Sequence, residues 1–592
     1  RARVLYDQSV TRVHPNGLSE SFEQRVVEIL DDRGAREEGA ADIRYTPDTQ
    51  SVEVRAARVY KKSGEVVEAT SSAEHDVSEP WYGLYYDVKS QSIEFDALEP
   101  GDVVDVEYVI SDVARRNMFA DYFGDLHVLQ EGLPRLDTRY VLIAPKNKQL
   151  YFNKPKLTNL KFDEKTSGDE RTYTFAAHDV PKIDVEPGMP GFTDVAAYVH
   201  VSTYKTWDDV ANWYRGLVAE QLQTSPQIHD AVAQATAGAA DERARIAAVY
   251  DLVVRKTRYV GLEFGIHGYQ PYRTTQVFAR KFGDCKDKAS LLVVMLREIG
   301  VDASLVLART RHGGDLDAEP ASLAPFDHAI VYVPKYDLFL DGTAEFSGSG
   351  ELPAQDQDIP VLIVSEGKLA RTPVLSAAHN RVSTELHVQL DGNGAGKVDE
   401  HVIVAGEVAH EWRAHYQSPG ERLERYGKAW AAKHPGARVV AVDMPDVGDR
   451  ERPVDVHAKI DVPDWARTEQ TNTGEHDLVM PAIGRDADML RSYARLSTRQ
   501  YDLVLGFPWR QDDKVTVSVP AGLTVKRLPE TRTVAAPFGH FTLSARAANG
   551  AVEVDAALEV DRHRIAREDY AAFRRFCADV DAALAQDLVI GK

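Results

Sequence analysis

Hydrophobic and polar residues alternate with a period of two through much of the first third of the chain. Residues 21–30, 51–59 and 103–110 read as strands with one buried face. Lys62, Ser63 and Gly64, and then Glu99, Pro100 and Gly101, read as turns between such strands. Few stretches here have helical period. The pattern predicts an N-terminal antiparallel β-sandwich-like domain over residues 1–203. The Pro187-Gly188-Met189-Pro190-Gly191 stretch is the clearest linker signal near its end.

The period then changes. Thr206, with Asp209 three residues on, forms a capping-box signature, and Trp207, Val210, Tyr214, Leu217 and Val218 follow on one helical face. A second capped helix is predicted from Asp241, with Ile246, Tyr250 and Val253 turned inward. A third starts at Asp284 and stops at Gly300, a residue type suited to the position just past a helix end. Strands are predicted over 303–308, 328–333 and 338–341. Helices followed by antiparallel strands imply an α+β domain over 204–375.

Alternation returns in the last third. Residues 384–390 and 397–404 flank Asp391, Gly392, Asn393 and Gly394, a hairpin signal. One helix is predicted over 409–432, further strands over 515–519, 523–527 and 552–560, and a closing helix over 566–584. Residues 376–592 therefore read as a C-terminal β domain with a terminal helix. No sequence repeat of fixed period is present. The fold class expected is multidomain α+β.

Composition narrows the function. The chain has 592 residues, 43% hydrophobic and 27% charged, which is a globular balance. Its formal net charge of −22 repels phosphate, and no basic run offsets it, so a nucleic-acid partner is not expected. No apolar run approaches the roughly 20 residues of a membrane span. The chain begins at Arg1, as a processed or trimmed product would, so no signal or anchor is read from it. Two cysteines, Cys285 and Cys577, are too few for a disulfide scaffold or a cysteine-based zinc site.

The two cysteines sit in different settings. Cys577 shares a helical face with Phe573, Phe576, Val580 and Leu584, which is a core pattern. Cys285 follows the predicted N-cap Asp284, with Asp287 as capping-box partner, in a polar run that also holds Lys286 and Lys288. The first turn of a helix favours an anion, and so a thiolate. The N–H of Cys285 is placed to serve as an oxyanion donor. A thiolate nucleophile needs an imidazole base, and the base an orienting carboxylate or amide. His328 heads a predicted strand, and Asp341 ends the next one. If the strands pair antiparallel, the two are expected to face each other across the ladder. For a second oxyanion donor, Gln270, Tyr259 and Tyr272 precede the cysteine, with Gln270 preferred. Residues 319–325 read either as a flap over the site or as a simple connection.

These residues resemble the catalytic core of the transglutaminase-like superfamily, a papain-like Cys-His-Asp fold. The matching pieces are Tyr259-Val260-Gly261-Leu262-Glu263-Phe264-Gly265, Gly283-Asp284-Cys285-Lys286-Asp287-Lys288-Ala289, Asp327-His328-Ala329 and Asp341-Gly342-Thr343. The whole chain resembles bacterial envelope-associated proteins in which an uncharacterised N-terminal β domain precedes this core. The resemblance implies Cys285 as nucleophile, His328 as base and Asp341 as its orienter. It also implies a protein or peptide substrate, envelope partner proteins, and a periplasmic or envelope location. Thiol, imidazole and carboxylate suffice for acyl transfer, so no cofactor and no metal are expected. The acceptor, water or an amine, stays open. The rival expectation is a non-catalytic envelope scaffold or protein-binding module with an unused transglutaminase-like fold.

Two other signals are set aside. His410 and His415 are five residues apart, about 140° around a helix of ~3.6 residues per turn, and so do not share a metal. Asp443, Asp446, Asp449 and Glu451 lack the spacing of a calcium loop.

Overall fold

The computed structural model describes residues 1–592 except 471, 473, 485 and 486. The chain forms two compact units. The first comprises residues 1–185, 191–343 and 359–372, and the second residues 186–190, 344–358 and 373–592. The proline- and glycine-rich stretch at 187–190 thus belongs to the second unit. There Val504 N donates to Gly188 O at 2.7 Å, and Gln500 N to Glu186 Oε1 at 2.7 Å.

The N-terminal region is built on an eight-stranded sheet. Its strands are β1 (Ala2–Val13), β2 (Ser19–Ile29), β3 (Gln50–Tyr60), β4 (Val66–Glu68), β6 (Val103–Asp112), β7 (Arg135–Pro145), β8 (Lys161–Ser167) and β9 (Glu170–Val180); β5 (Leu84–Tyr86) lies outside it. The order across the sheet is β8-β9-β7-β1-β2-β6-β3-β4. The expected antiparallel pairing holds except between β1 and β7, which run parallel. The long excursion from β1 to β7 allows that pairing, since parallel neighbours need a crossover and not a tight turn.

The central region follows in the same unit. Helices α1 (Trp207–Val218), α2 (Pro226–Thr236), α3 (Glu242–Lys256), α4 (Thr274–Arg280) and α5 (Cys285–Glu298) surround and include one buried helix. That helix is α5, in which every residue from Lys286 to Leu296 is buried. Short strands β10 (Arg258–Tyr259), β11 (Gly261–Glu263) and β12 (Phe282–Gly283) lie among the helices. A five-stranded sheet covers the other side: β13 (Ser304–Ala308), β14 (His328–Val333), β15 (Leu338–Leu340), β16 (Pro360–Ile363) and β17 (Lys368–Arg371), in the order β15-β14-β13-β16-β17. Helices α2 and α4 are additions to the sequence pattern. Each is short and covers α5 with few buried residues, Ile228 and Val232 in one, Thr274 and Val277 in the other. Strand β11 pairs parallel with β5, so the N-terminal region supplies an edge strand to this domain.

The C-terminal unit carries a second eight-stranded sheet: β18 (Arg381–Leu390), β19 (Gly396–Val404), β20 (Arg438–Asp443), β21 (Val454–Val462), β22 (Trp509–Ser518), β23 (Arg532–Ala536), β24 (Gly539–Ala548) and β25 (Ala551–Val560). Its order is β20-β21-β19-β18-β22-β25-β24-β23. Here too the pairing is mixed, with β18 and β22 parallel. The helix expected over 409–432 is two helices, α6 (Glu407–Tyr416) and α7 (Arg422–Lys433). Pro419 and Gly420 lie between them, and a proline cannot continue a helix from the residues before it. His410 and His415 both fall on α6 and are not brought together: His410 Nδ1 lies 3.2 Å from Ser347 Oγ, while the His415 ring meets Tyr416 edge-on. Asp446 and Asp449 pair with Arg452. The closing helix α8 (Tyr570–Leu584) buries Phe573, Phe576, Cys577, Val580 and Leu584. Among the described residues, no helix is long and apolar enough to cross a membrane.

Candidate active site

Cys285 is the first residue of α5 and is half-buried. The cap that positions it is complete. Asp284 accepts from Asp287 N at 3.2 Å, and Asp287 accepts from Asp284 N at 3.4 Å. Gly283 makes room for this box. A Cβ there would stand 2.5 Å from Asp287 Cβ, so the glycine is required for space rather than for an unusual turn.

The polar run around Cys285 is buried, which demands partners. Lys286 Nζ bonds Asp284 Oδ2 at 2.5 Å and lies 3.5 Å from Glu263 Oε1. Asp287 accepts from Arg280 Nη2 at 2.9 Å and Tyr272 N at 2.7 Å. Burial, together with the Asp284 charge, pushes the Asp287 carboxyl up. Lys288 Nζ donates to Thr257 O at 2.6 Å, tying α5 to the end of α3.

His328 opens β14, a strand that packs against α5. Its Nε2 lies 3.4 Å from Asp341 Oδ2, and the Asp341 side chain is 1% exposed. Burial alone would raise the Asp341 carboxyl. The nearby His328 charge, with two bonds from Thr343, outweighs it and holds the group well below its usual range. Asp341 is thus a buried carboxylate kept ionised beside an imidazole.

The register that produces this contact differs from the one expected. β14 and β15 are antiparallel, but Val331 pairs with Leu340, and one further step would set Ile330 opposite Asp341. Asp341 lies just past the strand end, diagonal to His328 on the same face. Residues two apart on a strand share a face, so the diagonal pair still meets.

Residues 230–334 match the family described as the transglutaminase-like superfamily. This central segment is a transglutaminase-like domain. Residues 15–184 match DUF3857 and residues 481–590 match DUF3858, each described as a domain of unknown function. Among curated proteins, none matches. A solved structure from Parabacteroides distasonis, described as a "putative protease", superposes with a TM-score of 0.70 at 15% identity, covering 100% of this chain and 99% of that one. It shares the fold of the whole chain. A second, from Cytophaga hutchinsonii, described as a "putative cysteine protease", covers 38% of this chain and 78% of that one at 13% identity, with a TM-score of 0.17, too low to indicate a common fold.

Around the transglutaminase-like centre the other candidates separate. Tyr259 pairs with Gly283 across β10 and β12, and the Cys285 and Asp284 charges add to burial in raising its phenol. Tyr259 is thus on the strand beside the one that leads into Cys285. Gln270 has another engagement: its Nε2 donates to Leu217 O at 2.9 Å, at the end of α1. Tyr272 donates its hydroxyl to Leu262 O at 3.2 Å. The segment before His328 is a packed connection and not a free flap. Ala321, Ser322 and Leu323 are buried, Tyr122 meets Ser322 at 2.9 Å, and Arg309 donates to Pro325 O at 2.7 Å.

Sequence reasoning missed Tyr214 and the β5 segment. Tyr214 is 2% exposed and within range of the Cys285, Asp284 and Lys286 charges. It appears in the sequence only as one apolar-face residue of α1. The β5 segment reaches the site through Gly261 N, which donates to Gly83 O at 2.8 Å. Beside it Trp81 and Tyr82 are 74% and 67% exposed. No local pattern links residues 81–86 to residue 261, because parallel pairing between distant strands leaves no sequence spacing.

Proposed function

We propose that Cys285, His328 and Asp341 act as a catalytic triad in thiol-dependent acyl transfer from a peptide or protein carbonyl. The observation that carries this reading is the His328 Nε2 to Asp341 Oδ2 contact at 3.4 Å on a strand packed against the helix that starts with Cys285. Asp341 lies on the Nε2 side of the ring, 3.4 Å away, and Nδ1 is assigned to take the thiol proton. Sγ then adds to the carbonyl carbon, and the first-turn N–H of Cys285 faces the oxyanion. The intermediate collapses with loss of the amine, which leaves with the proton from His328. The thioester is cleared by an acceptor activated by the same imidazole.

Water is the acceptor favoured here. The thiol is half-buried and not sealed, and excluding water is what an amine acceptor requires. The fold shared over full length with a protein described as a "putative protease" is in keeping with peptide hydrolysis. Exposed Trp81 and Tyr82, on the segment that borders Gly261, offer apolar surface for the substrate. An envelope location and envelope partners follow from the sequence resemblance alone, and a purely cytosolic full-length product would contradict them.

A fluorogenic peptide library, read with and without a dansylated amine, tests the reaction. Hydrolysis lost in Cys285→Ala supports the proposal, and amine incorporation without hydrolysis would reassign the acceptor. No thioester, hydrolysis or incorporation with any peptide would favour the scaffold reading.

A further inference from the structure

The outer face of the C-terminal sheet carries a cluster outside the site described above. His401 lies in β19 and His457 in β21, and the two are direct partners in the antiparallel ladder. Their rings stack with centroids 4.2 Å apart and planes 8° from parallel. Asp455 is two residues before His457, so it projects from the same face of β21. Its Oδ1 lies 2.8 Å from His401 Nε2 and 3.4 Å from His457 Nε2.

Both imidazoles therefore aim the same nitrogen at one carboxylate oxygen. Stacking alone does not require the second ring to converge on that oxygen. The three donor atoms lie within 4.8 Å of one another. A zinc ion with bonds of about 2.0–2.2 Å holds tetrahedral donors roughly 3.3–3.6 Å apart, so small side-chain rotations admit it. The side chains of His401, Asp455 and His457 are 36%, 44% and 55% exposed, so an ion reaches them without any opening of the fold. Acidic and basic neighbours flank the cluster: Lys459, two residues from His457, pairs with Asp399, and Lys514 lies 3.3 Å from Glu385. Glu385 is opposite His401 on β18, and Asp443 is opposite His457 on β20.

We propose that His401, Asp455 and His457 form a binding site for a divalent transition-metal ion of the zinc class. Two imidazoles and one carboxylate suit zinc, copper or nickel, whereas magnesium and calcium prefer all-oxygen sets. Three protein donors leave a coordination position for water or for a donor from another molecule. This site is independent of the triad and stands or falls without it.

Calorimetric titration of the full chain with zinc chloride tests the proposal. It is done after treatment with a chelator and in a Cys285→Ala background, so that the thiol does not compete. Saturable one-to-one binding is expected, weakened at least about tenfold by His457→Ala and by Asp455→Asn. Magnesium chloride should give no such isotherm. Equal melting temperatures of the metal-free variants show that the loss is not unfolding, and cobalt absorption, reporting imidazole ligation directly, should fade in His401→Ala. No binding of zinc, or binding unchanged in the variants, overturns the site.

Discussion

Two thiols in one chain meet opposite physical conditions. Cys577 is 0% exposed in the core of α8, and burial together with the Asp581 charge pushes its thiol up to about 12. Cys285 is half-buried at the exposed-amide end of α5. Thiolate fraction and access set cysteine reactivity, so native protein should take one equivalent of alkylating agent and denatured protein two. Mass spectrometry of both states checks this, and labelling of Cys577 in the native chain would contradict it. At Asp341 the contact to His328 Nε2 needs an acceptor oxygen more than a charge. Asp341→Asn should therefore retain more peptide-hydrolysing activity than Asp341→Ala, which leaves the imidazole unoriented; equal losses would argue against an orienting role. Gly283→Ala places a Cβ 2.5 Å from Asp287 Cβ and should lower the melting temperature while disturbing the first turn of α5.

Elements whose signals were local were legible. The capping boxes of α1 and α5, and strand β14 from His328 to Val333, stand where the residue pattern put them, because each is set by neighbours within four residues. Contacts between distant strands were not legible. The parallel pairs β1 with β7 and β18 with β22, and the His401–His457 pair, depend on register, which no spacing records; the expected pairing of the His328 and Asp341 strands holds, and only its diagonal register was hidden. The same holds for ionisation inside a sheet. Glu23 sits in β2, and burial raises its carboxyl from 4.5 to about 8; the Asp125 and Asp7 charges add to this and the Ser9 hydrogen bond opposes it. The folded chain then holds a proton that the unfolded chain gives up. Stability contributed by Glu23 is full below about pH 4.5 and falls as the pH rises towards 8. Glu23→Gln should flatten the fall in melting temperature across that window, and an unchanged slope would show that Glu23 is not its source.

Across the whole chain, the two eight-stranded sheets share a connectivity around their first strands. In each, the first strand pairs antiparallel with the second and parallel with a much later one: β1 with β2 and β7, β18 with β19 and β22. Beyond the later strand the order runs backwards along the chain, β7-β9-β8 in one sheet and β22-β25-β24-β23 in the other. The sequence shows no repeat because topology constrains the alternation of burial and not the residue types. The first of these regions lends a strand to the transglutaminase-like domain, through β5 and β11. If Trp81 and Tyr82 meet the substrate there, replacing both with alanine should raise KM for a peptide with little change in kcat, the mark of lost uniform binding. A fall in kcat alone would instead make them structural.

The central claim is that His328 and Asp341 act on the Cys285 thiol. The most direct test is the alkylation rate of Cys285 at neutral pH in the wild type, His328→Ala and Asp341→Ala, followed by peptide mapping with Cys577 as internal control. Fast wild-type labelling is expected, slowed by about 10²-fold or more without the imidazole and by an intermediate amount without the carboxylate. Equal rates in all three proteins would mean that the thiol acts alone, and would contradict the triad.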